Sequence, residues 1–582
     1  MKLFRRTFTR QAKIAASHEI APEDVFLDSQ NLSKLNVNQM EGQLERPLGR
    51  HVFYFSLIVI IFLLGGGVYR LFSMQIIDGD VYAAKADRNH LKSTPLFALR
   101  GTISDRSGNL LAWNTLDVPA LNTGTTTINA TNTQSTINDI PKRTYTTLAG
   151  FSHLLGYVSY PKKDQSGVFW QDEYIGKDGV EKEYQDKLQG VKGERIVAIN
   201  ALHEIEAENV TVSPKNGENL KLTIDKYVQA KLYERIEALA HKAGFVSGAG
   251  VIMDIHTGEL LALASYPEYD NNLMTNSSTK EDSAEISREL LDKRNAFLNR
   301  AVSGLFTPGS TVKPFVALAA LMENVITPEK NIYSSGQLVI KNKYGGPDSV
   351  FKDWKAHGYT DMRKALAESS DEYFYQVGGG YLDQPGLGIN RIKKYSEMFG
   401  FATTTGIDLP AESFGNIPSP EWKKKVFGTD WLLGDTYHTA IGQYGFQITP
   451  LELVRGVAAI ANGGYLVTPH VLGELDTAST SLNLSKKDLK VVQEGMRQGV
   501  LVGIGGALNI PGVEVASKSG TAELGSKKEL VNSWISGYFP YDNPKYAFVV
   551  IMEKGGQHNP YGAIFAARET LEWMRDNTSY TK

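Results

Sequence analysis

The sequence predicts an α+β protein carried by a single membrane-spanning helix, and three observations point that way. An uncharged apolar run of 18 residues, Val52 to Tyr69, lies near the N-terminus. Alternating apolar and polar segments, the period of half-buried strands, occur near residue 250 and again near residue 540. The long middle between them has helical periodicity, which favours a sheet closed by the two ends of a domain with helices packed against it. At 582 residues the chain is also too long for one ordinary domain.

From the N-terminus, residues 1–51 are polar, mixed in charge and poor in large apolar groups, which predicts a mostly disordered tail. At 1.5 Å per residue the apolar run is about 27 Å long, close to the hydrocarbon thickness of a bilayer. Arg46 and Arg50 precede it, Arg70 follows it, and Arg5, Arg6, Arg10 and Lys13 lie further forward. That bias predicts the N-terminus inside and the remainder outside, with the anchor at 52–70. A cleaved signal peptide is the rival reading, supported by Gly65-Gly66-Gly67 but opposed by the length of the run and of the segment before it. A buried core helix is disfavoured because the run has no polar face.

Residues 71–222 are rich in Thr, Asn, Gly and short β-type runs and read as a mixed, mostly β domain. Within them Gly124 to Thr136 is a polar tract expected to be an exposed loop or hairpin. Ser213-Pro214-Lys215-Asn216-Gly217 is a turn, followed by an alternating strand at Leu220 to Ile224. An amphipathic helix then runs from Tyr227 to Gly244. Gly250 to Ile255, a turn at His256-Thr257-Gly258, and Glu259 to Ala264 read as a hairpin. Strands at Trp534 to Tyr538 and Tyr546 to Glu553, then a helix at Ala563 to Arg575, close the second domain, 223–582. It is expected to hold an antiparallel sheet flanked by helices. No internal repeat is present.

The composition narrows the function. A hydrophobic share of 42% supports sizeable cores, and a net charge of −3 offers no global field for nucleic acid. The absence of Cys removes disulfide and thiolate chemistry. Asp353, His357 and Asp361 have a metal-like spacing, but with eleven His in the chain and no Cys a structural reading is favoured. No phosphate-binding or dinucleotide glycine pattern occurs in a strand-turn-helix frame. Neither metal nor cofactor is expected.

A serine and a lysine three residues apart share one face of a helix, and an unprotonated lysine there can activate the hydroxyl. The pattern is common: Ser159/Lys162, Ser277/Lys280, Ser310/Lys313, Ser349/Lys352 and Ser579/Lys582 all have it. Context selects Ser310. Thr307-Pro308-Gly309 makes a turn, Pro314 is tolerable only near a helix start, and the apolar run from Val316 to Met322 buries the rest of the helix. A nucleophile there would sit on a rigid element at the positive end of a helix dipole. The alternative is that Ser310 is a plain N-cap. Two further clusters bear on the choice. Glu368-Ser369-Ser370-Asp371 is followed by Tyr373, Phe374 and Tyr375, which read as core or cleft wall. Ser517-Lys518-Ser519-Gly520-Thr521 sets a cation and hydroxyls beside a glycine.

In the order Ser310, Ser369, Lys518, these clusters match the three-part signature of penicillin-recognising serine enzymes. With them the chain resembles the class B penicillin-binding proteins over nearly its whole extracytoplasmic length. Leu99 to Gly108 and Gly176 to Tyr184 are similar to the two motifs of the family's pedestal (dimerisation-type) domain. Met253-Asp254 to Tyr266-Pro267, Asn299-Arg300 and Ile441-Gly442-Gln443 are similar to recurring segments of its transpeptidase domain. Phe351 to Lys355 and the motif at Ser369 look most like the elongation type.

The resemblance implies an elongated pedestal at 71–222 and a D,D-transpeptidase at 223–582 that cross-links peptidoglycan stem peptides ending in D-Ala-D-Ala, with carboxypeptidase activity as a side reaction. Ser310 would form the acyl-enzyme and Lys313 would take its proton. Ser369 would relay a proton to the leaving amine, and Asp371 would hold Lys313 or the substrate backbone. Lys518 would add positive potential, with Ser519, Gly520 and Thr521 binding the terminal carboxylate. The backbone N–H groups of Ser310 and Thr521 would form the oxyanion hole. It further implies trapping by β-lactams, and a membrane glycosyltransferase and elongation-complex scaffold proteins as partners. Two departures stand out: Lys-Ser-Gly replaces Lys-Thr-Gly, keeping the hydroxyl, and Asp371 replaces the commoner Asn, leaving acceptors only. A β-lactam hydrolase or sensor, and a silent cell-wall scaffold, are the alternatives. The hydrolase lacks a segment resembling a deacylation base, and the domain at 71–222 suits a wall synthase better.

Overall fold

The computed structural model describes residues 49–115, 140–165, 169–199, 205–343, 345–525 and 527–582. The polar tract Gly124 to Thr136 and most of the N-terminal tail lie outside the described residues. The chain divides into two units, Met1–His90 and Leu91–Lys582. In the first, helix α1 (Arg50–Phe72) continues through a wider turn at Ser73–Ile77. Its most apolar 18-residue stretch has a mean hydropathy of 2.3 and is unburied, the combination a lipid-facing helix requires.

The second unit is organised around one five-stranded sheet. Its strands are β1 (Ser247–Asp254), β2 (Leu260–Tyr266), β3 (Ala516–Leu524), β4 (Leu530–Phe539) and β5 (Tyr546–Gly556), in the order β2-β1-β5-β4-β3 and antiparallel throughout. The two ends of the domain meet where β1 pairs with β5, as the alternating segments predict. Both faces are covered. Ile252, Phe548 and Val550 pack with α2 (Lys226–Ala243) and the closing helix Ala563–Asn577. Val251, Val549 and Ile551, one residue out of phase, join the larger core with α3 (Lys313–Met322) and α6 (Pro450–Ala461). That is why β5 reads as an almost unbroken apolar run. β3, which carries Lys518, lies at the sheet edge, so one side of it is open to a cleft.

Residues 91–222 hold a three-stranded sheet (Leu91–Leu96, Gly193–Ile199, Ile205–Val212) and a four-stranded one made of short strands. The strand expected at Leu220 to Ile224 is only Leu220–Lys221, parallel to Ile103–Ser104. It ends early because Thr223 Oγ1 donates to Leu260 O and Asp225 caps α2 through the N–H groups of Tyr227 and Val228. Arg100, Arg143 and Glu181 form a buried triad here. The guanidiniums reach the two carboxylate oxygens at 2.5 and 2.7 Å with all three side chains fully buried. Burial alone would raise the Glu181 pKa, but the two guanidiniums outweigh it and hold the carboxyl below its ordinary value. This region is bolted to the sheet domain by Arg106–Glu259 at 3.0 Å, by Tyr184 Oη on Asp408 at 2.5 Å, and by the His153 ring on Ala296 O at 2.8 Å.

Candidate active site

Three chain segments meet at the open edge of β3. The first is the turn at Thr307-Pro308-Gly309. Trp534 Nε1 on β4 donates to Thr307 O at 2.9 Å, and Gly309 N donates to Gly442 O at 3.0 Å. Gly309 has φ +55, and a Cβ there would lie 2.6 Å from Thr521 O; a Cβ on Gly442 would lie 2.2 Å from Gly309 O. Both glycines are therefore conditions of the close approach. The sequence points to a helix starting near Ser310. In the structure Gly309–Val312 is a 3₁₀ turn and α3 begins at Lys313, with Pro314 in its first turn where no donor is lost. Three residues per turn put Ser310 and Lys313 on one side of the 3₁₀ segment. Ser310 is half-buried and Lys313 fully buried.

The second segment joins α4 (Met362–Glu368) to α5 (Asp371–Gly379). Ser369 sits between them in the left-handed region, φ 57 and ψ 42. Lys313 Nζ donates to Ser369 O at 2.8 Å, to Ser369 Oγ at 3.2 Å and to Asp371 Oδ1 at 2.6 Å. The same ammonium lies 5.5 Å from the centre of the buried Phe374 ring.

The third segment is β3 itself. Lys518 Nζ donates to Ser369 Oγ at 2.7 Å and to Ser519 O at 2.9 Å, so two amines converge on one hydroxyl. Burial first, and the Lys313 charge second, push the Lys518 pKa well below the ordinary value; Asp371 pulls the other way. Ser519 and Thr521 alternate with buried Gly520 and Ala522 and share the open face. A Cβ on Gly520 would lie 2.8 Å from Pro308 O, so the strand packs directly on the turn before Ser310. Gln443 Nε2 reaches Thr521 O at 3.4 Å. Ser310, Lys313, Ser369, Asp371 and Lys518 thus come together from segments far apart in the chain, with Ser519, Gly520 and Thr521 beside them.

A supporting clamp is not visible in the spacing of the motifs. Asp353 Oδ2 accepts from Ser370 Oγ at 2.9 Å and from Glu372 N at 2.8 Å, which seats the start of α5. His357 lies 3.4 Å from the other Asp353 oxygen and bonds Glu368 at 2.7 Å through Nδ1. The strained Ser369 is therefore gripped through both neighbours, Glu368 and Ser370. Asp361, the third member of the metal-like pattern, instead caps α4 through Lys364 N at 2.9 Å. The sequence signals for the clamp are the i, i+4 spacing of Asp353 and His357, for which a structural reading is favoured, and the resemblance carried by Phe351 to Lys355. Tyr373, Phe374 and Tyr375 are all buried, as their reading as core or cleft wall anticipates.

An antiparallel sheet flanked by helices, with a cleft at its edge strand, is the fold of a transpeptidase domain. The family described as penicillin binding protein transpeptidase domain matches residues 248–570, and the penicillin-binding protein dimerisation domain matches 131–222. The peptidoglycan D,D-transpeptidase MrdA of Haemophilus influenzae is 31% identical over 90% of this chain and 91% of its own. The penicillin-binding protein of Helicobacter pylori, solved in complex with MreC, superposes with a TM-score of 0.67 at 29% identity, covering 84% of this chain and 99% of the other. A chain from a peptidoglycan synthase complex that couples polymerization and crosslinking superposes at 0.69 with 28% identity, covering 91% and 99%. The chain belongs to the penicillin-binding proteins with a transpeptidase domain and, within them, to the class B elongation type.

Proposed function

We propose that this protein is a membrane-anchored D,D-transpeptidase that cross-links peptidoglycan stem peptides during cell-wall elongation through an acyl-enzyme on Ser310. The observation that carries the reading is the convergence of two lysine amines on the Ser369 hydroxyl, beside a serine one 3₁₀ turn from Lys313. Two ammonium groups cannot share one hydroxyl cheaply, so the two amines as a unit have room for one more proton. Ser310 Oγ attacks the carbonyl between the two D-alanines and gives its proton to Lys313. Ser369 passes a proton to the departing D-alanine amine. The N–H groups of Ser310 and Thr521 hold the oxyanion, and such donors are worth roughly 3 kcal/mol each. Ser519, Thr521 and Lys518 bind the terminal carboxylate. A second stem peptide then takes the acyl group.

The proposed domains are a tail at 1–51, an anchor at 52–70, a pedestal at 71–222 and the transpeptidase at 223–582. The basic residues around the anchor favour a cytoplasmic N-terminus and an extracytoplasmic catalytic domain. A membrane glycosyltransferase and an elongation scaffold are the partners, in keeping with the complexes formed by the structural neighbours. β-Lactams mimic the donor and trap Ser310. The test is intact mass after incubation with a penicillin. One long-lived adduct in the wild type, absent in Ser310→Ala, is expected. Rapid turnover of the drug would favour a hydrolase, and no adduct a silent scaffold.

A further inference from the structure

On one flank of the cleft lies an imidazole that the acylation chemistry does not use. His438 projects from the helix Leu433–Ala440 and is half-buried. Its ring contacts Phe351 at 5.5 Å and Tyr375, on the helix that Asp371 begins, at 6.4 Å. On the other side it lies near-parallel to Tyr444 at 6.5 Å, and Tyr444 in turn to Phe427 at 6.2 Å. Tyr444 keeps that place at φ +62, a conformation costly for a tyrosine and one that surrounding structure must enforce. It directly follows Gln443, the residue that touches β3 at Thr521. The segment that carries Tyr444 thus runs beside the strand that carries Ser519 and Thr521.

The charges around His438 are as specific as its contacts. Asp371 from α5 and Glu523 from the outer end of β3 both act on it, as does Lys528 from the turn after β3. Asp435, on its own helix, is already paired with Lys423 at 2.6 Å. Glu523 is paired with Lys528 at 2.5 Å. Tyr375, Tyr437 and Tyr444 are the other titratable groups against it; burial holds each phenol above its ordinary pKa, so they stay neutral. Burial first, then Lys528, lowers the proton affinity of His438, against the pull of the three carboxylates. Asp371 is paired as well, with Lys313, but Asp371 and Glu523 keep 21% and 39% of their side chains exposed against 11% for Asp435, so an arriving ammonium can bind beside these two and lose a proton to the neutral imidazole before it reacts.

We propose that His438, with Glu523 and Asp371, forms the site for the acceptor amine, and that His438 receives that amine's first proton. The inference rests on the transpeptidase reading and concerns only its second half. The acceptor arrives as an ammonium attracted by Glu523 and Asp371. A neutral ring nitrogen of His438 takes one proton and becomes imidazolium. The freed lone pair attacks the acyl carbon, the C–N bond forms and the bond to Ser310 Oγ breaks. The second amine proton passes through Lys313 to Ser310 Oγ, restoring the hydroxyl, and the imidazolium returns its proton to water. Tyr444 is a positioning residue that holds the imidazole against the cleft.

The test partitions the acyl-enzyme. Full-length protein in detergent is given a labelled peptide ending in D-Ala-D-Ala, with Nα-acetyl-lysine as acceptor, and the ratio of amide to hydrolysed product is followed from about pH 6 to 10. Because the ratio is read only on enzyme already acylated, folding and acylation do not enter it. The wild-type ratio should persist to neutral pH. In His438→Gln it should fall about tenfold at pH 7 and recover only as the pH nears the amine's own pKa of about 10.4. Identical profiles overturn the proposal. If His438→Gln forms no acyl-enzyme, Glu523→Gln decides: a several-fold higher acceptor KM with an unchanged pH profile supports the site, and an unchanged KM overturns it. A wild type that never acylates at Ser310 overturns the transpeptidase reading itself, and this inference with it.

Discussion

Arg100, Glu181 and Arg143 in the region before residue 222, and Lys313, Asp371 and Lys518 in the cleft, are each built from two basic side chains and one carboxylate. In both, the basic groups are removed from solvent. They differ in what those groups can do. Guanidiniums do not lose protons in proteins, and their planar forks fit a carboxylate at two points. Arg100 also donates to Glu181 O and Gln185 Oε1, at 2.8 and 2.9 Å, and Arg143 to Gly101 O at 2.9 Å. Such a triad fixes chain segments against each other. In the cleft the cations are amines, which can shed protons, and both point at one hydroxyl rather than both at the acid. Asp371 keeps a side-chain exposure of 21%, so substrate can compete for its neighbours. The same charge count makes a rivet in one place and, in the mechanism proposed above, a proton exchanger in the other.

Exchanging the chemistry should break the comparison most sharply in the cleft. Lys313→Arg keeps the charge and the pairing with Asp371 but cannot accept the Ser310 proton. Acylation by a labelled penicillin should fall about a thousandfold, within the range a positioned base contributes, while thermal stability changes little. A variant acylated at the wild-type rate would remove Lys313 from the role of base. In the buried triad the expected loss is stability rather than rate. Glu181→Gln leaves two buried guanidiniums facing a neutral amide and should cost about 3–5 kcal/mol, seen as a lower unfolding midpoint. An unchanged midpoint would mean the triad is not a rivet.

How much of the molecule is legible in its sequence depends on the range of each signal. Four of the five strands, the closing helix at Ala563–Asn577 and the β1–β2 hairpin are readable because periodicity and turn residues are local, whereas β3, which carries Lys518, is not read as a strand. Ser310, Lys313, Ser369 and Lys518 are readable through the resemblance, not through spacing, since four other Ser-x-x-Lys pairs have the same spacing. The left-handed Ser369 cannot be read, and of the clamp on it only the Asp353 and His357 spacing can. They depend on Asp353 meeting Ser370, and on His357 meeting Glu368 across a bend that places a strand, Gly358–Thr360, between them. The convergence of Lys313 and Lys518 on a single hydroxyl is equally hidden, because their separation in the chain says nothing of their distance in the fold.

A buried histidine at the junction adds a third kind of basic group, one kept neutral. Burial lowers the His153 pKa from 6.5 to about 4, and Ala296 O pulls the other way. The folded pKa lies below the unfolded one, so its contribution is complete above about pH 6.5 and is lost as pH falls toward 4. The change amounts to about 3 kcal/mol. Glu268 has the opposite sign: burial raises it from 4.5 to about 7, so its contribution is lost as pH rises across that window. The measurement is therefore a difference. The gap in unfolding midpoint between wild type and His153→Gln should narrow from pH 7 to pH 4.5, and a constant gap would sink the idea.

The smallest expected effect concerns the clamp, and it sharpens the contrast between fixing and exchanging. Asp353 lies behind the reacting groups: it holds Ser370 Oγ and Glu372 N, and it has no exposed side-chain surface. Asp353→Asn keeps the shape but replaces one acceptor oxygen with a donor, so either the α5 cap or the contact with His357 is lost. Ser369 then loses half of what enforces its left-handed backbone, whose strain is about 1–3 kcal/mol. If Asp353 acts only by positioning, penicillin acylation should slow about tenfold, equivalent to about 1.4 kcal/mol. The pH dependence of acylation should keep its shape, because Lys313 and Lys518 are untouched, and Asp353→Glu should restore part of the rate. A shifted pH profile would instead mean that Asp353 tunes the charge of Lys313 and Lys518, and would move it from the fixing part of the site into the exchanging one.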